Sequence, residues 1–312
     1  MRRILAVGVL VVAIAAIGAT LSQPRGQPAP PREDSMKGQV VLVTGSTDGL
    51  GREVARRSAA LGAHVIVHGR NRGRGQAVVS AIEQDGKGSA RFYAADLASA
   101  ADVRRLAQDV LRDYPRLHVL VNNAGIWVTD GSRQVNGEGH ELQFAVNYLS
   151  GFLLTHLLES RLVESAPARV INVASGAQSP IDFDDVMLER PGRASEGYGQ
   201  SKLAQIMFTI DLAERLRDRN VIAASLHPAT LMNTTMVRQS GLPAQSSIDE
   251  GADAVMHLVA GTGVESGRYY EGVEPGRAHR QAYDAAARER LRTLRTHRPI
   301  GSPDAPQGSN DG

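Results

Sequence analysis

The sequence predicts an α/β fold built on one doubly wound parallel sheet of about seven strands, in a single domain with helices on both faces. Three observations lead there. From Gln39 onward, short β-branched runs alternate with longer stretches of helical periodicity. The strand runs are continuously apolar, as burial on both faces requires. The first of them passes directly into a glycine-rich turn, Thr44-Gly45-Ser46-Thr47-Asp48-Gly49-Leu50-Gly51.

Val40 to Val43 reads as the first strand, and the turn leads into a helix through Arg52 to Leu61. Ala63 to Val67 is the second strand, ended by His68-Gly69-Arg70. Gln76 to Gln84 reads as helix, Ala90 to Ala94 as strand and Ser99 to Asp113 as helix. The fourth strand, Leu117 to Val121, is closed by Asn122-Asn123-Ala124-Gly125. A long amphipathic helix covers Glu141 to Leu158, and Arg169 to Val173 is the fifth strand. Tyr198 opens or lies within a helix reaching about Arg217. Val221 to Leu226 is a sixth strand, Ile248 to Ala260 a helix, and Gly267 to Tyr270 a short seventh strand. Gln281 to Thr296 is helical in propensity, and its Arg288, Arg290, Arg292 and Arg295 read as a solvated face.

The chain has 312 residues, 42% of them apolar, and a formal net charge of +2. That balance offers no electrostatic case for nucleic acid or an acidic substrate. Cysteine is absent, which removes disulfides, thiolate catalysis and cysteine-ligated metals, and no metal site is expected.

Residues 1–35 differ from the rest: Met1-Arg2-Arg3 precedes an apolar run from Ile4 to Leu21 and a Pro- and Gln-rich stretch to Pro31. Three readings stay open. The run is a single membrane anchor, a cleaved export signal, or an extension upstream of a cytoplasmic enzyme that starts at Met36. Residues 36–298 read as one folded domain, whose motifs are taken up next, and residues 299–312 as a disordered tail.

A glycine-rich turn between strand and helix lets the backbone approach a pyrophosphate, whose charge then meets the free amides at the helix start. Gly45, Ser46, Thr47, Gly49, Leu50 and Gly51 are therefore candidate cofactor residues of a Rossmann-type fold. At the end of the second strand, NAD-binding folds carry an acidic residue for the ribose 2′-hydroxyl. Here Arg70 holds that place, which suits a 2′-phosphate, so NADP(H) is favoured and NAD(H) is the alternative. Tyr198 and Lys202 stand at i and i+4, so a helix sets phenol and ammonium on one face. The ammonium favours the phenolate, with the positive charge of an oxidised nicotinamide needed in addition. The pair in this company points to a nicotinamide-dependent oxidoreductase.

Taken in order, Thr44-Gly45-x-x-x-Gly49-x-Gly51, Asp96-Leu97, Asn122-Asn123-Ala124-Gly125, Asn147, Ser175 and Tyr198-x-x-x-Lys202 resemble the short-chain dehydrogenase/reductase family. Within it, Phe144-Ala145-Val146-Asn147-Tyr148-Leu149 and Tyr198-Gly199-Gln200-Ser201-Lys202-Leu203-Ala204 are similar to retinol-dehydrogenase-like and protochlorophyllide-reductase-like members. The resemblance implies Tyr198 as general acid or base, Lys202 lowering its pKa and binding the nicotinamide ribose, and Ser175 holding the substrate oxygen. It implies Asn147 positioning a water in a proton relay, Asp96 and Leu97 flanking the adenine, and Asn122, Asn123, Ala124 and Gly125 lining the adenosine side. Pro228 and Thr230, with Thr234 as an alternative, would reach the nicotinamide amide. It leaves open a small-molecule substrate, a homo-oligomer, and membrane association through residues 4–21.

Some features depart from the family pattern. Pro228-Ala229 replaces Pro-Gly, and alanine does not adopt positive φ cheaply. Asp48 stands where many NADP-preferring relatives are basic. A protochlorophyllide-type reductase would need a cysteine donor that the chain lacks, and a non-catalytic NADP sensor would not need Tyr198 or Lys202. Trp127, Phe183, Met232 and Met236 follow the motif segments and suggest an apolar pocket for a lipophilic aldehyde, ketone or alcohol, or else simple packing.

Overall fold

A computed structural model describes residues 32–297. The apolar run at 4–21 and the tail at 299–312 lie outside them. Among the described residues no helix is long and apolar enough to cross a membrane.

The strands are β1 (Val40–Val43), β2 (His64–Gly69), β3 (Ser89–Ala94), β4 (Val119–Asn122), β5 (Ala168–Val173), β6 (Val221–His227), β7 (Tyr269–Glu271) and β8 (Glu274–Pro275). They form one 8-stranded sheet in the order β3-β2-β1-β4-β5-β6-β7-β8. Every pairing is parallel except the short β7–β8 turn-back. The expected strands are all present, and the two-residue β8 is the addition. A run that short has no period to read in a sequence.

The period-2 alternation of β1 explains its continuous apolarity. Leu42 enters the core on one face, while Val41 and Val43 enter the core on the other. The first core is closed by α3 (Ala100–Asp113), α5 (Ser150–Glu164) and α6 (Gly197–Arg215). The second is closed by α1 (Gly49–Ala60), α2 (Arg72–Asp85) and α8 (Ile248–Ala260). The remaining helices are α4 (Leu142–Phe144), α7 (Thr235–Ser240) and α9 (Ala285–His297).

Chain order reverses between β1 and β4. In open parallel sheets the crevice beyond the strand carboxyl ends at such a reversal receives ligands.

The helix expected from Glu141 is not continuous. Glu141 caps it, its carboxylate accepting from the amides of Gln143 at 3.1 Å and Phe144 at 2.6 Å. After α4 the chain makes a π turn over Ala145–Leu149 before α5 begins, and that turn carries Asn147. Single π turns inside helices recur at functional sites.

Candidate active site

The glycine turn is held from three sides. Gly45 adopts φ 65° and Gly49 φ 50°, backbone that only glycine enters freely. A Cβ on Gly51 would stand 2.4 Å from both Asn123 Nδ2 and the Gly45 oxygen, so α1 approaches the turn through a gap no side chain fits. The Thr44 hydroxyl accepts from the amides of Asn123 and Ala124, each at 3.0 Å. The Asn123 amide group donates back to the Thr44 carbonyl at 2.9 Å and the Gly45 carbonyl at 3.3 Å. The ends of β1 and β4 thus form one unit, with Ser46 tied to β2 by accepting from the His68 amide at 2.9 Å. Asp48 caps α1, accepting from Gly49 N at 2.8 Å and from the Thr235 hydroxyl at 2.6 Å.

The residues expected on the adenine side, Asp96 and Leu97, lie just beyond β3. Asp96 accepts from the Ala98 amide at 3.0 Å, and Ser99 is the cap of α3. Leu97 is buried in the first core. Asn122 faces inward, its amide donating to Thr155 Oγ1 at 2.9 Å and Asn172 Oδ1 at 2.8 Å, so its side chain joins β4 to β5 and α5. Arg70 is exposed at the end of β2 and has no ion-pair partner among the described residues.

At the other end of the cleft, α6 begins at Gly197, which puts Tyr198 in its first turn and Lys202 one turn on. Lys202 Nζ lies 5.6 Å from the Tyr198 ring centroid and donates to the Val173 carbonyl at 2.9 Å. Ser175 lies just beyond β5, within hydrogen-bonding reach of the Tyr198 phenol. Its backbone is fixed by Tyr269, whose hydroxyl donates to the Ser175 carbonyl at 3.2 Å, and by Gln178 Nε2 at 2.9 Å. The structure brings Tyr198, Lys202 and Ser175 together, with Asn147 and Lys202 both beside Gly125. A Cβ on Gly125 would lie 3.4 Å from both Lys202 Nζ and Asn147 Oδ1.

Burial pushes the Tyr198 phenol upward, and the Ser175 side chain offsets this only in part. Burial also pushes Lys202 down, from 10.5 to about 7. Desolvation is the leading cause for both groups and favours their neutral forms.

The Asn147 side chain is held by its neighbours: its Oδ1 accepts from the Ile126 amide at 2.8 Å, and its Nδ2 donates to the Ile126 carbonyl at 3.1 Å and to Ser201 Oγ at 2.9 Å.

Pro228 is buried and Thr230 Oγ1 pairs with His227 Nε2 at 3.0 Å, while the Thr234 hydroxyl is used as the cap of α7. The left-handed residue of this segment is Leu231, with φ 44°, and Ala229 does not take positive φ.

Of the four apolar residues expected to line a pocket, Trp127 packs on Tyr198 at a ring-centroid distance of 5.8 Å. Phe183 lies under the Arg290 guanidinium at 4.8 Å, and Met232 abuts Gly251 of α8, so both serve packing. Met236 is half-buried on α7.

Sequence reading missed two residues that shape the cleft, Tyr269 and His68. Tyr269 gave no signal, because its partner is a carbonyl distant in the chain. His68 was read only as the end of a strand, yet it is buried and its ring is hydrogen-bonded at both nitrogens.

Comparison with known proteins agrees with this geometry. Residues 39–244 match the family model described as short chain dehydrogenase. Human retinol dehydrogenase 12 is 36% identical over 249 residues, covering 75% of this chain and 78% of that protein. Human retinol dehydrogenase 14 is 36% identical over 266 residues, again covering 75% and 78%. Among solved structures, a protein from Mycobacterium paratuberculosis superimposes with a TM-score of 0.70 at 26% identity, over 86% of this chain and 97% of that one. A short chain dehydrogenase from Burkholderia cenocepacia, solved in complex with NADP, gives a TM-score of 0.62 at 26% identity, over 76% and 97%. The chain therefore belongs to the short-chain dehydrogenase family and is an NAD(P)-dependent oxidoreductase.

Proposed function

We propose that the protein interconverts a lipophilic aldehyde or ketone and its alcohol with NADP(H), using Tyr198 as general acid or base. The observation that carries this is the meeting of Tyr198, Lys202 and Ser175 beyond β5, with the β1 glycine turn at the other end of one cleft.

The residues fit a dinucleotide. A Cβ on Gly125 would fill the space beside Lys202, which bare backbone leaves free. The amides at the start of α1 suit a pyrophosphate. Arg70, exposed and unpaired among the described residues, would bind a 2′-phosphate with charge-assisted hydrogen bonds. The Burkholderia relative that binds NADP supports the same choice.

The chemistry a bound NADPH supplies is a hydride to the carbonyl carbon. Ser175 and Tyr198 hold the carbonyl oxygen, and Tyr198 gives it a proton as negative charge develops there. Lys202 then stabilises the phenolate left behind, and its neighbour Asn147 keeps the π turn and the 126–128 backbone in place. In the oxidation direction the same phenolate takes the alcohol proton.

Trp127 forms an apolar wall beside the phenol, and this supports a lipophilic substrate. The retinol dehydrogenases among the relatives point the same way. The test is NADPH consumption by the purified full chain across a series of aldehydes and ketones of increasing apolar surface. Turnover that is absent throughout, or confined to small polar carbonyls, contradicts the proposal.

A further inference from the structure

His68 closes β2, and its imidazole reaches both strands that flank its own. Nδ1 accepts from the Gly45 amide at 3.1 Å, at the start of the glycine turn of β1. Nε2 pairs at 3.2 Å with the carbonyl of Ala95, the residue that follows β3 and precedes Asp96. Since a backbone amide can only donate and a carbonyl only accept, the ring must be the neutral tautomer with its proton on Nε2. Burial agrees, because it pushes the ring down to about 4 although the Asp96 carboxylate pulls the other way. The side chain is 2% exposed. The backbone of His68 is engaged as well, its carbonyl accepting from the Ser46 amide at 2.9 Å.

Among the described residues, no other side-chain hydrogen bond ties the glycine turn to the loop after β3. Gly45 packs closely on the end of β4, where a Cβ would stand 2.9 Å from the Ala124 Cα. The imidazole therefore sets the spacing between the pyrophosphate turn and the Asp96-Leu97 loop. Resting on the NADP(H) reading above, we propose that His68 is a positioning residue for the cofactor: it fixes the pyrophosphate turn and the adenine-side loop in one register, so both ends of the adenosine half are received together.

The experiment is a fluorescence titration of NADPH into the full chain as wild type, His68→Leu and His68→Gln, with thermal unfolding of each. Leucine fills the volume but leaves the Gly45 amide and Ala95 carbonyl unpaired. NADPH affinity is expected to fall about tenfold or more, as for a buried polar group that loses its partner. Glutamine carries an acceptor and a donor on one planar amide, and is expected to return affinity to within about threefold of wild type. Wild-type affinity in His68→Leu overturns the proposal. So does a folded His68→Gln that binds as weakly as His68→Leu, since a role in packing alone predicts no rescue. If His68→Leu does not fold, His68→Asn replaces it. Its amide can accept from Gly45 but is too short to reach Ala95, so binding is expected to be weaker than in His68→Gln, and equal binding overturns the proposal. A wild type that binds NADH but not NADPH defeats the NADP reading alone, and the same comparison is then run with NADH. A wild type that binds neither overturns both.

Discussion

Lys202 Nζ lies 5.6 Å from the centroid of the Tyr198 ring and spends one hydrogen bond on the Val173 carbonyl. Lysine and tyrosine are thus adjacent without being paired. Burial drives the phenol up and the amine down, so the free protein disfavours the phenolate–ammonium form. In the proposed mechanism a cation entering the cleft would stabilise the phenolate, coupling proton transfer to coenzyme binding.

The first prediction concerns stability. Lys202 is pushed down to about 7 from 10.5, so between these pH values the unfolded chain holds a proton here that the native state has released. Native stability should therefore rise with pH through that window, by at most about 1.4 kcal/mol per pH unit from this one group. Below about pH 7 both states are protonated and this contribution no longer varies. Denaturant unfolding of wild type and Lys202→Met at several pH values checks it, the variant losing that part of the slope. Identical slopes would show that the lysine keeps its proton in the native state.

Gly51→Ala should abolish tight coenzyme binding. The added Cβ would meet Asn123 Nδ2 and the Gly45 oxygen at 2.4 Å, so α1 must retreat from the turn. Overpacking of this kind costs about 1–3 kcal/mol. Calorimetric titration with NADPH and thermal unfolding should register both losses, and an unchanged affinity would mean that the turn does not receive the pyrophosphate.

Arg70→Ala should erode the preference for NADPH over NADH by about tenfold or more, the worth of a charge-assisted hydrogen bond. NADH affinity should hold nearly constant, because the arginine is exposed and unpaired among the described residues. The ratio of the two dissociation constants is the readout. Equal losses for both coenzymes would assign Arg70 a general electrostatic role.

Trp127→Ala should raise KM for long apolar aldehydes several-fold, in line with about 1–2 kcal/mol of lost aromatic and apolar contact. Short aldehydes that do not reach the indole should be affected less. A uniform change in kcat across the series would instead mean that Trp127 acts by orienting Tyr198.

Much of this was legible in the sequence, for identifiable reasons. β1 and α8 fall where expected because a continuous apolar run and a long amphipathic period each leave a local signature. The glycine turn, Tyr198, Lys202 and Ser175 could be read because their chemistry requires particular residue types at fixed intervals. The π turn at Asn147 could not, since one extra residue in a helical turn leaves the apolar pattern almost unchanged. His68 and Tyr269 stayed hidden because their partners are backbone groups far along the chain. The Asn122 side chain faces Thr155 and Asn172 in the core because strand alternation fixes its direction, and motif membership does not report this.

The most direct test of the account compares wild type and Tyr198→Phe for NADPH binding and for NADPH-dependent reduction of an apolar aldehyde. The account predicts nearly equal NADPH affinity, with turnover lower by about 10²–10⁴ in the variant, the usual worth of a positioned acid. Undiminished turnover in Tyr198→Phe would contradict it.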